Sequence, residues 1–219
     1  MDVWATNSSM SIINCSLEVS AYDLETGWTW NSPATEVFDL KPNSSTELRT
    51  AVPVPAPARA DAGDKTAPSG SVVVQARLRL VESAQGLRCG QGEVMARTCD
   101  WPQPYKFIDF ASIAADSSVS AQVEVTGDET RIVLSSEKPV KCLTLGLESW
   151  NEGDQEVEFS DNAVSTEIPR RFLVLMLESY VLKIDLFPGD EQVIVASQMK
   201  RRGLKATFLG CEAGKRISV

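Results

Sequence analysis

Cys15, Leu17, Val19 and Ala21 alternate with Ser16, Glu18 and Ser20, so one side of this segment is apolar and the other polar with a period of two. That period belongs to a half-buried β-strand, because successive side chains of an extended backbone point to opposite faces. The pattern then recurs along the chain. Val72 to Val81, Glu93 to Arg97, Val119 to Val125, Arg131 to Ser135, Cys142 to Leu147, Glu156 to Phe159, Gln192 to Ala196 and Lys205 to Leu209 all read as short strands. Turn-forming residues separate them, as in Asp23-Leu24-Glu25-Thr26-Gly27, Thr126-Gly127-Asp128 and Asn151-Glu152-Gly153-Asp154. Strand after strand without amphipathic helices predicts an all-β fold of antiparallel sandwiches and excludes a βαβ architecture.

The length of 219 residues suits two sandwiches of roughly 100 residues each. Two proline-rich stretches interrupt the strands. Val52 to Ser69 reads as an exposed, extended loop (52–69) inside the first domain. Trp101-Pro102-Gln103-Pro104 cannot donate hydrogen bonds at its prolines and so resists a central strand position. The domain junction is placed there, giving residues 1–104 and 105–219.

Charge and composition remove several functions. Thirty acidic against 21 basic residues give a formal charge of −9, which repels phosphate backbones and anionic lipid, so neither nucleic acid nor membrane is expected as a partner. The chain has no histidine, which excludes Ser-His-Asp and Cys-His catalysis and the usual zinc sites. Cys15, Cys89, Cys99, Cys142 and Cys211 are odd in number and scattered, without a C-x-x-C pair. They read as small buried hydrophobes rather than a disulfide framework. Met1 to Asn7 lacks the basic and apolar regions of a signal peptide; with the scattered cysteines this favours a cytoplasmic setting, while an internal Met1 would leave export open. Asn7, Asn14 and Asn43 each begin an N-x-S triplet, a pattern too short to argue for secretion.

Three motifs point to a family. Trp101-Pro102-Gln103-Pro104-Tyr105-Lys106-Phe107-Ile108-Asp109-Phe110, Ser160-Asp161-Asn162-Ala163 and Asp185-Leu186-Phe187-Pro188-Gly189-Asp190-Glu191-Gln192 resemble signatures of the C-terminal β-sandwich region of β-mannosidases in glycoside hydrolase family 2, fungal ones in particular. Val3-Trp4-Ala5-Thr6-Asn7-Ser8 resembles the opening strand of the immunoglobulin-like domain that follows the catalytic barrel there. Ala21 to Gly27, Pro42 to Leu48 and Glu93 to Arg97 resemble later parts of that domain, and the ending Thr207-Phe208-Leu209-Gly210 that of the last one. The resemblance implies two tandem immunoglobulin-like antiparallel β-sandwiches. It also implies a parent activity, hydrolysis of terminal non-reducing β-mannose with retention, by two carboxylates about 5–5.5 Å apart in a barrel. Such a barrel takes about 250 residues, and these 219 show no βα repeats. The expected function is thus a non-catalytic accessory region of a β-mannosidase, with no catalytic residue, no metal and no cofactor of its own, read from a truncated gene. Its expected partners are the catalytic barrel and a manno-oligosaccharide. The alternatives are a stand-alone carbohydrate-binding module or a plain scaffold module.

Individual residues are weighed against this. Trp150-Asn151-Glu152-Gly153 resembles the Asn-Glu pair that carries the acid/base in this clan, but Gly153-Asp154 makes it a solvated hairpin turn, and no role is assigned to Glu152. Trp28 and Trp30, two apart on one strand face, are the candidates for sugar stacking; packing on a core or on the barrel is the plainer account. Asp185, Asp190 and Glu191 lack the regular oxygen spacing of a calcium loop, and a tight turn at Pro188-Gly189 explains them. Finally, Val164 to Lys183 separates two motifs that adjoin in the family pattern. Its apolar centre, Phe172 to Leu177, is too short to span a bilayer. Val-Ser can be encoded by a 5′ splice consensus and Lys by a codon ending in AG, so this block, 164–183, reads as a retained intron. Transcript reads joining Ala163 to Ile184 would decide between that and a real insertion.

Overall fold

The computed structural model of the chain describes residues 2–33, 36–55, 71–82, 90–102, 104–116, 119–127, 129–147, 184–197 and 204–217. The Glu152 turn, the predicted strand Glu156 to Phe159, the Ser160–Ala163 motif, Val164 to Lys183 and most of the 52–69 loop lie outside the described residues. The chain divides into two compact units, Met1–Ile108 and Asp109–Val219. Each is a set of antiparallel sheets around its own apolar core, so the fold is all-β as the alternation and turns predict, and it is the tandem of immunoglobulin-like sandwiches that the family resemblance implies.

In the first unit the strands are β1 (Val3–Asn7), β2 (Ile13–Asp23), β3 (Thr29–Asn31), β4 (Glu36–Leu40), β5 (Ser44–Arg49), β6 (Val72–Leu80) and β7 (Val94–Asp100). The alternating segment around Val19 forms the long central strand β2. Along one edge it pairs with β6 from Cys15↔Leu80 to Asp23↔Val72. Along the other it takes β4 at Ile13–Leu17 and β3 at Ser20–Tyr22, end to end. β6 carries β7 on its far side, and β1 and β5 form a separate two-stranded ribbon. The apolar faces of β1, β2 and β6 meet in a core of Val3, Ala5, Cys15, Leu17, Val19, Ala76, Leu78 and Leu80, joined by Leu40, Leu48 and Val52. The proline-rich segment thus begins on the core: Val52 is buried although Pro53 is exposed.

The second unit opens with a feature the strand pattern does not predict, helix α1 (Phe110–Asp116). Asp109 caps it, its carboxylate accepting the Ser112 N–H at 3.0 Å, and Ala114 buries its inner side. Strands β8 (Val119–Thr126), β9 (Glu129–Ser136), β10 (Val140–Leu147), β11 (Ile184–Leu186), β12 (Gln192–Ser197), β13 (Leu204–Phe208) and β14 (Cys211–Ile217) follow. They form one sheet in the order β12-β9-β8 and another in the order β11-β10-β13-β14. Ile132, Leu134, Leu143, Leu186, Ile194, Ala196, Leu204 and Ala206 fill the space between. Gly210, at φ +85° in the β13–β14 turn, lies so close to α1 that a Cβ there would meet the Phe110 carbonyl oxygen at 2.0 Å. Only glycine fits.

Candidate functional site

The end of β2 is organised by a buried carboxylate. Asp23 is fully buried, and its side chain accepts hydrogen bonds from the Ser71 hydroxyl at 2.5 Å, the Thr26 hydroxyl at 2.7 Å and the Glu25 N–H at 3.3 Å. Its N–H donates to the Trp28 carbonyl at 2.8 Å, and its own carbonyl accepts the Gly27 N–H at 2.9 Å with Gly27 at φ +71°. This network turns the chain back onto β2, where β3 pairs Trp30 with Ala21 and Asn31 with Ser20. The Ser32 N–H then donates to the Val19 carbonyl at 2.8 Å, which holds the chain against β2 as far as Ser32.

The turn separates the two tryptophans. Trp28 precedes β3, with its backbone committed to the Asp23 turn. Trp30 stands within β3, partly buried against the core, and lines a cleft of about 150 Å³. Leu17, Val19, Pro33, Val52 and Pro53 line it with apolar groups, and Ser32, Glu36 and Arg49 with polar ones. Glu36 begins β4 opposite Leu17 and Arg49 ends β5 opposite Val3. Their side chains join as a fork, Nε to Oε2 at 2.7 Å and Nη2 to Oε1 at 2.5 Å. A bidentate pair fixes both planes. Neither Glu36 nor Arg49 stands out in the sequence, because they come from different strands and no spacing rule links them.

Asp185 and Asp190 each support local backbone geometry. Asp185 Oδ1 accepts the Cys142 N–H at 2.8 Å and Oδ2 faces Lys141 Nζ at 3.4 Å. Cys142 has a left-handed backbone, φ +55°, where the β10–β11 register shifts, so Asp185 holds a β-bulge. The Asp190 N–H closes a turn onto the Phe187 carbonyl at 3.0 Å with Gly189 at φ +81°, the tight turn that Pro-Gly predicts. Glu191 is exposed. Among the described residues no three His, Cys, Asp or Glu side chains gather as a metal would require. Of the three N-x-S asparagines, Asn7 is buried, with its amide donating to the Ser11 and Leu40 carbonyls at 2.8 and 2.9 Å. That nitrogen is already committed. Cys15 is a free thiol in the first core, and burial, with the Asp39 carboxylate adding to it, pushes its pKa from 9.0 to about 11. It is therefore protonated near neutrality and a poor nucleophile.

Fold and site define a class first: an immunoglobulin-like β-sandwich protein with a Trp30-lined cleft that holds one carboxylate, Glu36, among its described residues. Residues 1–106 match the family described as Mannosidase Ig/CBM-like domain. That match takes in just under half of the chain, and the alignment with β-mannosidases extends over nearly all of it. Beta-mannosidase B of Aspergillus niger is 27% identical over 211 residues, covering 95% of this chain and 19% of that protein. Beta-mannosidase B of Aspergillus clavatus is 33% identical over 121 residues, covering 54% of this chain and 11% of that protein. The chain thus spans a fifth or less of these relatives' length. A solved chaperone–adhesin complex of Acinetobacter baumannii pili covers 99% of this chain and 89% of its own at 9% identity, with a TM-score of 0.30 that supports no argument.

Proposed function

We propose that the two sandwiches serve the catalytic domain of a β-mannosidase, packing beside it and stabilising it while contributing no reacting group. One observation carries this reading: nearly the whole chain aligns with a small share of a much longer β-mannosidase. In a retaining glycosidase the acid/base and the nucleophile sit rigidly on barrel strands, and in this chain the Glu36 carboxylate is tied to Arg49 and that of Asp185 to a bulge. The test is a chimera of the Aspergillus niger relative in which this chain replaces the region it matches, compared with the same enzyme lacking that region. The chimera is expected to hydrolyse an aryl β-mannoside and to melt above the deletion form, while the 219-residue chain alone gives no turnover. A chimera no more stable or active than the deletion form would overturn the proposal.

A second reading, carbohydrate binding, is favoured by the Trp30 cleft and by the carbohydrate-binding likeness in the family description.

A further inference from the structure

We propose that the cleft under Trp30 binds a single β-linked mannopyranosyl residue, stacking its C–H face on the indole and gripping adjacent hydroxyls with the Arg49–Glu36 fork. The size is the first argument. A cavity near 150 Å³ is about the volume that accepts one benzene-sized ring in a protein interior. It falls short of the roughly 300 Å³ at which pockets for larger ligands begin. One six-membered ring can seat there with its substituents at the open rim, and a chain of rings cannot.

The chemistry of the walls is the second. A pyranose ring is amphipathic, with axial C–H groups on its faces and hydroxyls around its rim. The cleft is amphipathic too, with Trp30, Leu17, Val19, Val52 and Pro53 among its apolar lining and Glu36, Arg49 and Ser32 among its polar lining. A guanidinium has five N–H donors and a carboxylate about four lone-pair sites. The fork consumes two of each, and among the described residues neither side chain makes a further hydrogen bond. Donors and acceptors therefore remain side by side in one fixed plane. Two neighbouring hydroxyls, one accepting from Arg49 and one donating to Glu36, match that arrangement. The indole N–H of Trp30 is a further donor without a hydrogen-bond partner among the described residues.

The third argument is rigidity. Trp30 is held by β3 on β2 and by the buried Asp23 turn behind it, and both charged groups sit at strand ends. A preorganised site loses little on ordering. The choice of mannose rests on the accessory reading above; the ring site itself rests on the cleft.

The 219-residue chain, labelled with ¹⁵N and titrated with methyl β-D-mannopyranoside, provides the test. The Trp30 indole resonance is expected to shift and saturate, with Trp28 and Trp4 unmoved. Arg49→Met and Glu36→Gln, which alter partly exposed side chains and leave the core intact, are expected to weaken binding about tenfold each. Methyl β-D-glucopyranoside, which differs at one hydroxyl, is expected to bind more weakly. No saturating shift, or equal binding by both variants, would overturn the site. Equal response to the glucoside would overturn the assignment to mannose, as would equal response to cyclohexanol, which marks a mere apolar gap. The chimera experiment is independent: an active, stable chimera with a silent titration removes the sugar site alone, and an inert chimera with a saturable titration removes the accessory role alone.

Discussion

In the first unit one strand of eleven residues, β2, meets partners along both edges, whereas in the second unit no described strand exceeds eight. The two also secure their turns differently. At the end of β2 a side chain does it: the buried Asp23 carboxylate collects hydrogen bonds from Ser71, Thr26 and Glu25. At the end of β13 a missing side chain does it, because Gly210 lets the turn lie against the carbonyl of Phe110. The first unit should therefore be sensitive to changes of chemistry and the second to changes of volume.

Gly210→Ala gives the largest expected effect. A left-handed backbone and a Cβ placed on a carbonyl oxygen together cost about 3 kcal/mol, read as a lower urea midpoint. Gly189→Ala is its control. The backbone is equally left-handed there, φ +81°, but nothing lies within 4 Å of the added Cβ, so only about 1 kcal/mol is expected. Equal losses would show that close approach to α1 is not what Gly210 provides.

Asp23→Ala comes next. Removing a buried acceptor strands the Ser71 and Thr26 hydroxyls, at about 2 kcal/mol. Hydrogen exchange should speed up first at Leu24 and Gly27, whose amides donate within this turn. Unchanged protection there would break the contrast between the units.

Alkali should act through the first core. The Cys15 thiol is neutral when folded up to about pH 11 but ionises near 9.0 when its burial is lost. The unfolded chain then holds fewer protons than the folded one, so stability is full below about pH 9 and falls as pH rises towards 11. Urea midpoints measured across that window should slope downward, and in Cys15→Ala the slope should flatten. A slope unaltered by the substitution would place the titration elsewhere.

The smallest effect belongs to Glu36→Gln. The pair it forms with Arg49 is a third or more exposed on each side, so solvent screens it and a loss of at most about 1 kcal/mol is expected. A larger loss would make the fork part of the fold rather than a feature of the cleft.

How much of this was legible in the residues follows from the range of the interactions. A period of two is local, and it located β2, β6, β8, β9, β10, β12 and β13 to within about two residues. The Pro188-Gly189 turn and the Asp23 to Gly27 turn were equally local. Helix α1 escapes the strand pattern because seven residues are two turns, too few for a 3.6 period to show; Asp109 as its cap is the available signal. The sequence offers Trp28 and Trp30 alike, yet of the two only Trp30 lines the cleft. Glu36 and Arg49 could not be found at all, since their meeting depends on how β4 and β5 stand against β2.

From Val3 to Asn7, β1 pairs with β5 alone among the described strands, with Thr6 and Ser45 linked across the ribbon at 2.9 Å and Trp4 60% exposed on its outer side. A ribbon only two strands wide leaves rows of backbone donors and acceptors open to any extended peptide that arrives. Purified alone and concentrated, this chain would carry an adhesive border, and its shelf life would depend on dilution as much as on folding stability. Replacing outward-facing Thr6 with lysine would blunt that border by charge, as natural sheet edges do. Light scattering against concentration would show the two proteins diverge.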